Sequence, residues 1–296
     1  MNASDLAAQM IRIAIPYLFA ASGGVLAERA GIVSLALEGF MLTGAFAAAV
    51  GSWMTGDPWL GALCGITAGA LFGLVHAVAT IRFRADQVVA GIAINLLVIG
   101  LTRLGLQFAF DSSSNSPRVE GFAAETGAGG LLFATLQNPL VIAGLLVVPV
   151  LTWVMYRTPF GLRVRSVGEH PAAAASLGVR VPRVRYLAVT LSGALASLGG
   201  VYLALDQHQF TDNMTAGRGF IALAAVIFGR WDPARAGIAC LLFAAAETLQ
   251  IALQGAQLLP SQFVQMIPYV LTIVALAGLV GRSVPPAALG RPEPGT

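Results

Sequence analysis

Long apolar segments recur along the chain, and they restrict its fold more than any other feature. Eight of these segments approach the length of about 20 residues that an α-helix needs to cross about 30 Å of bilayer hydrocarbon. Only 10% of the residues are charged, against about 25% in a soluble globular protein, so polar surface is too scarce to enclose a soluble core. The pattern predicts an all-α fold, a polytopic transmembrane helical bundle. The predicted spans are 6–27, 36–54, 59–80, 86–108, 138–156, 184–205, 234–254 and 262–281.

A ninth apolar segment, 219–229, is shorter than the others and has an arginine on either side, Arg218 and Arg230. As a helix it would reach only about 17 Å, too little to cross the hydrocarbon. We interpret it as a broken or half-length helix, buried beside a transport pathway, with flanking glycines bending the chain at its start and Arg218 at the outer surface. The alternative is an ordinary span extended to 215–233. The predicted bundle therefore has about eight full spans plus one short or broken helix.

The positive charges predict which end of the bundle faces the cytoplasm. All 17 basic residues are arginines, and 13 of them fall in alternate loops or near the C-terminus. Because cytoplasmic loops carry the excess of basic residues, the N-terminus is predicted to lie outside and the C-terminus inside. The assignment requires the segment 219–229 to change sides as well. Residues 1–282 then form the transmembrane domain, 157–185 is a large cytoplasmic loop, and 283–296 is a Pro-rich cytoplasmic tail expected to be disordered.

Several kinds of chemistry lack their sequence signals. Without lysine the chain has neither a Gly-rich phosphate loop nor a Schiff-base lysine, so ATP, if it is used, has to bind another chain. Cys64 and Cys240 lie in apolar runs with no disulfide or zinc spacing. Asp206, His208 and Asp212 share a polar loop, but no further strong ligand is placed with them. No motif supports an intramembrane enzyme, so we predict no catalytic residues and no metal site.

Inside the loop 157–185, the stretch "GEHPAAAASLGV" predicts a short helix outside the bilayer. Pro171 suits a first helical turn, Glu169 lies near the positive end of the helix dipole, and Gly178 is a typical stop. The alanines between them are strong helix formers, and their small side chains would let a groove of another protein approach closely. An ordinary amphipathic surface helix is equally consistent with these residues.

Four blocks of the sequence resemble one family. "VGEHPAAAASLGV" looks like the coupling helix of ABC-importer permeases. "ERAGIVSLALEGFMLTGAFAA", "ADQVVAGIAINLL" and "NMTAGRGFIALAAVIFGRWDP" are similar to segments of the nucleoside and simple-sugar (branched-chain amino acid/ribose-like) branch, and the four blocks follow the family's order. Together they extend over most of the chain. One departure is Ser34, where this branch commonly has Asn, so no inherited role is assigned to that position.

The resemblance implies one subunit of a two-permease core in a bacterial cytoplasmic (inner) membrane. Two ATP-binding subunits would dock below it and hold ATP and Mg²⁺, and a substrate-binding protein would dock outside. The second permease is expected to be a different chain, giving a heterodimer, and neither a cofactor in this chain nor a nucleic-acid partner is expected. The short helix would sit in a groove of the ATPase and move as a lever. Its coupling residues would be Glu169, His170, Pro171, Ala174 and Gly178.

Polar residues within apolar spans are costly in lipid and are therefore candidates for a substrate pathway. Glu38 could bond a ribose or base donor, or else bond backbone groups where its helix begins irregularly. Asn95 offers a donor and an acceptor that match a nucleobase edge or sugar hydroxyls, or else an interhelical hydrogen bond. Glu247 shares a helix face with Gln250, and structural pairing is the alternative there. Phe40 could stack on a base or pack in the core.

Two functions are compatible with the sequence. The first is the permease subunit of an ATP-driven ABC importer for nucleosides or related purine or sugar ligands. The second is a stand-alone secondary transporter or channel for a small polar solute. The arginine-rich inner loop with its separate helix favours the importer, whereas paired ionisable residues at mid-membrane would favour the second function.

Overall fold

The computed structural model describes residues 3–122, 130–256, 266 and 283–291. Within these residues the chain forms eleven α-helices and no β-strand, which confirms the predicted all-α fold. A π-helical turn, Val78–Arg82, continues the third helix. The helices are α1 (Ala3–Arg29), α2 (Leu37–Thr55), α3 (Pro58–Ala77), α4 (Gln87–Phe110), α5 (Gly130–Gln137), α6 (Pro139–Arg157), α7 (Pro159–Glu169), α8 (Pro171–Ser176), α9 (Val181–Asp206), α10 (Arg218–Phe228) and α11 (Pro233–Ala256).

Capping side chains and prolines explain where several helices begin. Asp57, Asp86, Asn138 and Thr158 each precede a helix and accept a hydrogen bond from a backbone N–H of its first turn. Such caps satisfy N–H groups that have no partner inside the helix. Proline follows directly at α3, α6 and α7, where its missing N–H leaves no hydrogen bond unmade.

Three helices form the centre of the bundle. α1, α2 and α9 have most of their residues buried, whereas most residues of α3, α4 and α6 are at least partly exposed. Glycines bring α9 close to its neighbours, because a Cβ on Gly193 would collide with the backbone of α3 and a Cβ on Gly200 with the backbone of α2. Small residues at helix contacts permit close approach in lipid, where no hydrophobic effect drives helices together.

Six of the described helices are long and apolar enough to cross a membrane, namely α1, α3 with its π-helical turn, α4, α6, α9 and α11. Each of them corresponds to a predicted span. α2, with 19 residues, and α10, with 11, are not among the six. Except for Met266, the predicted span 262–281 lies outside the described residues. The predicted total of about eight full spans is therefore not confirmed.

The segment predicted to be a half-length helix forms α10, and it does not extend to 215–233. Gly217 precedes it with φ +84°, in the left-handed region, after a series of turns that leads from α9. At its other end Gly229, Arg230 and Trp231 form a second turn before α11 begins. The prediction of a half-length helix with a glycine bend is confirmed.

The two ends of the bundle differ in charge. α1, α3 and α6 end, and α4, α9 and α11 begin, at what we call the arginine-rich end. Hydrogen bonds between these termini hold it together. Arg29 Nε donates to the carbonyl oxygen of Trp231 (2.7 Å), and Arg185 Nε at the start of α9 donates to the carbonyl oxygen of Ala30 (3.2 Å). The other end of the bundle is called the opposite end.

The loop 157–185 contains two helices, α7 and α8, where the sequence predicted one. α8 matches the prediction, with Pro171 as its first residue and Gly178 (φ +82°) shortly after its end. Residues 283–291 differ from the expected disordered tail. Their backbone bonds to that of Gly31 and Gly168, because chain ends and turns leave backbone groups free at this face of the bundle.

Candidate functional site

The start of α10 meets the carboxylate of Glu38, the second residue of α2. One carboxylate oxygen accepts hydrogen bonds from Thr215 Oγ1 (2.6 Å) and Gly217 N (2.8 Å), and the other accepts from Gly219 N (2.7 Å). N–H groups at a helix start have no partner inside the helix, and a negative charge there faces the positive end of the helix dipole. Because Glu38 is buried, it caps α10 in the interior of the protein.

Glycine is needed at both backbone positions that Glu38 contacts. Gly217 has φ +84°, a conformation that L side chains rarely adopt. A Cβ on Gly219 would lie 2.5 Å from the backbone nitrogen of Glu38. The pair of glycines in "TAGRG" therefore allows α2 and the start of α10 to touch.

Asn95 shows how deep this contact lies. Its side-chain oxygen accepts from Gly39 N (2.8 Å), and its side-chain nitrogen donates to the carbonyl oxygen of Leu35 (2.9 Å), so Asn95 braces the start of α2. Asn95 lies eight residues after Gln87, the first residue of α4, which corresponds to about 12 Å of helix. The contact between Glu38 and α10 is therefore well inside the bundle.

An ion pair lies beside the same helix start. Arg218 Nη2 is 3.8 Å from Glu247 Oε1, and the hydroxyl of Tyr17 donates to the other carboxylate oxygen at 2.5 Å. Tyr17 lies 12 residues before Arg29 at the end of α1, or about 18 Å of helix. Arg218 thus lies halfway along α1 and not at the outer surface where the sequence placed it, because the connection from α9 turns back into the bundle.

These side chains differ in how much of their hydrogen-bonding capacity is free. Glu38 and Asn95 are buried and already bond to backbone groups on two elements. The side chains of Arg218 and Glu247 are 24% and 26% exposed. A guanidinium has several donors and a carboxylate several acceptor sites, so this pair can still bond a polar ligand. We call Arg218, Glu247 and Tyr17 the mid-bundle cluster.

Phe40 is packed in the core. It is almost fully buried, and its ring meets the edge of the His76 ring with the centroids 6.2 Å apart. Of the four predicted pathway residues, the structure brings Glu38 and Glu247 to the start of α10, sets Asn95 against α2 and buries Phe40. A pathway role for each of the four stays a prediction.

The sequence analysis missed Arg218 and Tyr17 as members of one cluster. The available signal was an arginine between two glycines, directly before an apolar helix too short to cross a bilayer. Tyr17 had no such signal, since it is one aromatic residue within a long apolar helix.

The predicted coupling residues lie at the arginine-rich end. Glu169 ends α7, with Oε1 3.6 Å from Arg29 Nη1. His170 separates the two helices, Pro171 begins α8, and Ala174 is its only buried residue. The remaining residues of α8 are largely exposed, as are Leu177 and Gly178 after it. The structure therefore presents α8 as an accessible short helix with one small side chain packed inward.

An apolar cavity of about 600 Å³ lies between α1, α6 and α11. It contains neither the mid-bundle cluster nor any predicted pathway residue. The polar groups at the start of α10, namely the Glu38 contact and the mid-bundle cluster, thus lie apart from this cavity. The cavity is lined by Leu18, Leu145, Val148, Pro149, Thr152, Trp153, Tyr156, Arg157, Ala234, Gly237, Ile238 and Leu241.

Among the residues that the structure describes, no group of three or more His, Cys, Asp or Glu side chains could hold a metal ion.

Comparison with known sequences gives matches along almost the whole chain. Residues 6–276 match a family model described as branched-chain amino acid transport system / permease component. The chain is 39% identical to the guanosine ABC transporter permease protein NupQ of Bacillus subtilis, over 94% of this chain and 93% of that protein. It is 38% identical to the nucleoside ABC transporter permease protein NupC of Lactococcus lactis, over 96% and 95%.

A comparison with solved structures supports the fold alone. A metal-chelate type ABC transporter in an inward-facing conformation matches with a TM-score of 0.53 at 16% identity, over 91% of this chain and 84% of that one. The helices described above thus share their overall arrangement with that chain.

Proposed function

The chain belongs to the permease component family of branched-chain amino acid transport systems and is a membrane subunit of an ABC importer, and on that premise we propose that it imports nucleosides or related purine or sugar ligands. Two relatives at 39% and 38% identity carry the names guanosine and nucleoside permease, which supports this class of cargo. Both alignments extend over more than nine-tenths of each chain, so the likeness includes the helices that form the interior.

The observation that carries the proposal is the start of α10 inside the bundle. A half-length helix with its end in the interior presents polar groups at the depth where transporters bind their substrates. Here the mid-bundle cluster offers guanidinium donors and carboxylate acceptors, which suit the hydroxyls and base edge of an uncharged nucleoside. Glu38 and Asn95 support this site by fixing α10 and α2, and Phe40 packs in the core.

The arginine-rich end is proposed to face the cytoplasm, with the N-terminus outside. α8 would dock in an ATPase subunit, through the exposed residues that follow Glu169, and ATP and Mg²⁺ would bind that subunit. A substrate-binding protein would dock at the opposite end, and a second, different permease would complete the pathway. We also propose that α2 and residues 262–281 cross the bilayer, which gives about eight spans in an inner-membrane protein.

Reconstitution tests this function directly. The complete transporter in proteoliposomes, with its binding protein and ATPase subunits, is expected to take up labelled guanosine when ATP is hydrolysed and not with a non-hydrolysable analogue. Binding measurements of nucleosides, free bases and pentoses on the binding protein would rank the cargo. Uptake of equal rate with the analogue would contradict the importer.

One observation favours the alternative function, a secondary transporter. Uptake therefore has to be measured without ATPase subunits as well. Arg218 and Glu247 are ionisable and paired in the interior, and such pairs occur in ion-coupled carriers. Uptake by this chain without ATPase subunits, driven by a proton gradient and abolished by an uncoupler, would support the alternative. We expect no uptake in that experiment.

A further inference from the structure

A nine-residue segment near the C-terminus crosses the arginine-rich end of the bundle. We call residues 283–291 the C-terminal strap. The backbone N–H of Ala288 donates to the carbonyl oxygen of Gly168 (2.9 Å), and that of Gly290 donates to the carbonyl oxygen of Gly31 (3.3 Å). At its start, Ser283 Oγ donates to the carbonyl oxygen of Ile227 (3.2 Å). One segment therefore bonds to α7, to the residues after α1, and to the last turn of α10.

The strap shares Glu169 with the proposed coupling element. Glu169 Oε2 accepts a hydrogen bond from Ala287 N (3.3 Å), while Oε1 faces Arg29. Gly168 packs so tightly on the carbonyl oxygen of Arg29 that a Cβ would overlap it. Because α8 begins two residues after Glu169, the strap and α1 together hold the base of α8.

A series of hydrogen bonds connects the residues that the strap contacts with the start of α10 and the mid-bundle cluster. Gly31 is the second residue of the segment 30–36, whose backbone is held by Glu28, Gln87 and Asn95 before α2 starts. Glu38 follows at once and caps α10. The strap bonds directly to the other end of α10 as well. A displacement of α8 would therefore reach α10 from both of its ends.

Large apolar side chains in the strap and after α8 are exposed at the arginine-rich end. Leu177, after α8, is 85% exposed, and Val284, in the strap, is 72% exposed. Neither residue belongs to a helix long enough to span a membrane. Large apolar side chains exposed at the end of the bundle where α8 lies are available for contact with another protein. The ATPase subunit proposed to receive α8 is the protein that would cover both.

We propose that the C-terminal strap is a second contact for the ATPase subunit and that it transmits the subunit's movement from α8 to the segment 30–36 and α10. The proposal rests on the proposed function, since it needs an ATPase partner at the arginine-rich end. It adds a coupling role for residues 283–291 that α8 alone would not provide.

Two truncations test the mechanical part. In the complete transporter reconstituted with its ATPase subunits and binding protein, ending the chain after Arg282 removes the strap, whereas ending it after Arg291 keeps every contact described. We expect the shorter chain to lower substrate-stimulated ATP hydrolysis and uptake by roughly 2- to 30-fold. Selective loss of the ATPase subunits from the shorter chain supports the proposal too. Wild-type stimulation by both chains would overturn it.

A matched pair of substitutions tests the same role in case the truncated chain fails to fold. Ala288 is buried against Gly31 and Gly168, whereas its neighbour Ala287 is exposed. Ala288→Asn is expected to reduce stimulated hydrolysis in the same direction as the truncation, and Ala287→Asn to leave it near that of the wild type. Equal hydrolysis by the two variants at the wild-type rate would overturn the transmission role.

Photo-crosslinking tests the contact itself in the folded complex. Because Cys64 is exposed and Cys240 is buried, a benzophenone maleimide would be attached to Val284→Cys in a Cys64→Ser background. An adduct with the ATPase subunit is expected, as for Leu177→Cys, but not for Ser113→Cys at the opposite end. An adduct from Leu177→Cys without one from Val284→Cys would overturn the second contact. A wild-type transporter without ATP-dependent uptake would instead reject the proposed function.

Discussion

The carboxylate of Glu38 caps the first turn of α10 in the interior of the bundle. Glu38 accepts from two backbone N–H groups and one hydroxyl, all contributed by Thr215, Gly217 and Gly219. A buried donor without a partner costs about 1–3 kcal/mol, and charged acceptors form the stronger hydrogen bonds. The stability of α10 in its position therefore depends on Glu38 as well as on the packing of its own 11 residues.

Glu38→Ala is expected to destabilise the permease by about 1–3 kcal/mol for each donor left unsatisfied. Glu38→Gln, which keeps one acceptor oxygen but loses the charge, is expected to show a smaller loss. The unfolding temperature of the purified protein in detergent, read by fluorescence-detected size exclusion, measures the difference. Glu120→Ala, in an exposed loop, is the control. A wild-type unfolding temperature for Glu38→Ala would contradict the capping role.

The mid-bundle cluster gives a second prediction, because a structural ion pair and a ligand site respond differently to neutralisation. Arg218→Gln or Glu247→Gln alone leaves one charge without its partner, so both single variants are expected to be less stable than the double variant. If the pair bonds the cargo, the double variant recovers stability but not uptake. We expect this outcome, with KM for guanosine raised at least about tenfold, equivalent to about 1.4 kcal/mol.

Thermal unfolding and ATP-driven uptake, measured on the same four proteins, separate the two roles of Arg218 and Glu247. A double variant with both wild-type stability and wild-type KM would show that the pair only holds α10 against α11. Arg12 and Asp206, which pair at 2.6 Å nearer the opposite end, supply a matched control. Their double neutralisation is expected to leave KM unchanged.

At the scale of elements, α10 depends on close backbone approach to α2. A Cβ at Gly219 would lie 2.5 Å from Glu38 N, which a packed interior relieves only by moving one of the two helices. Gly219→Ala is therefore expected to cost about 1–3 kcal/mol through overpacking, and to reduce uptake more than it reduces expression. Gly100→Ala in α4 meets open space and is expected to gain up to about 1 kcal/mol.

The measurement for this pair is again the unfolding temperature, together with uptake per mole of assembled transporter. A Gly219→Ala protein as active and as stable as Gly100→Ala would mean that α2 and α10 separate easily. That result would show that the close contact between α2 and α10 does not hold α10 in place.

Local signals and long-range contacts differ in how well the sequence reveals them. α8 could be predicted because Pro171, the alanine run and Gly178 act within a few residues of one another. The length of α10 followed from its short apolar run. The depth of Arg218 did not, because it depends on bonds between Glu38 and residues 177 to 181 positions later. The strap was missed for a related reason, since it bonds to backbone groups that any sequence offers.

At the scale of the whole molecule, the charges and the contacts divide the bundle in the same way. The termini near Arg29, α7, α8 and the strap gather at one end, with Arg157 and Arg230 beside them. The opposite end joins its loops through polar contacts such as Ser52 Oγ with the carbonyl oxygen of Glu120 (2.6 Å). The proposed coupling to ATPase subunits requires the end that carries α8 to lie on the cytoplasmic side.

The positive-inside rule predicts that the arginine-rich end is the cytoplasmic one, because cytoplasmic loops carry the excess of basic residues. In a Cys64→Ser background, Ser113→Cys at the opposite end is therefore expected to react with a membrane-impermeant maleimide on intact spheroplasts. Leu177→Cys, beside α8, is expected to react only after the membrane is permeabilised. Both positions are exposed in the structure, so a lack of reaction reports the side and not burial. The reverse pattern would leave α8 and the strap outside the cell, where no ATPase subunit could reach them, and the coupling mechanism would be wrong even though the fold is not.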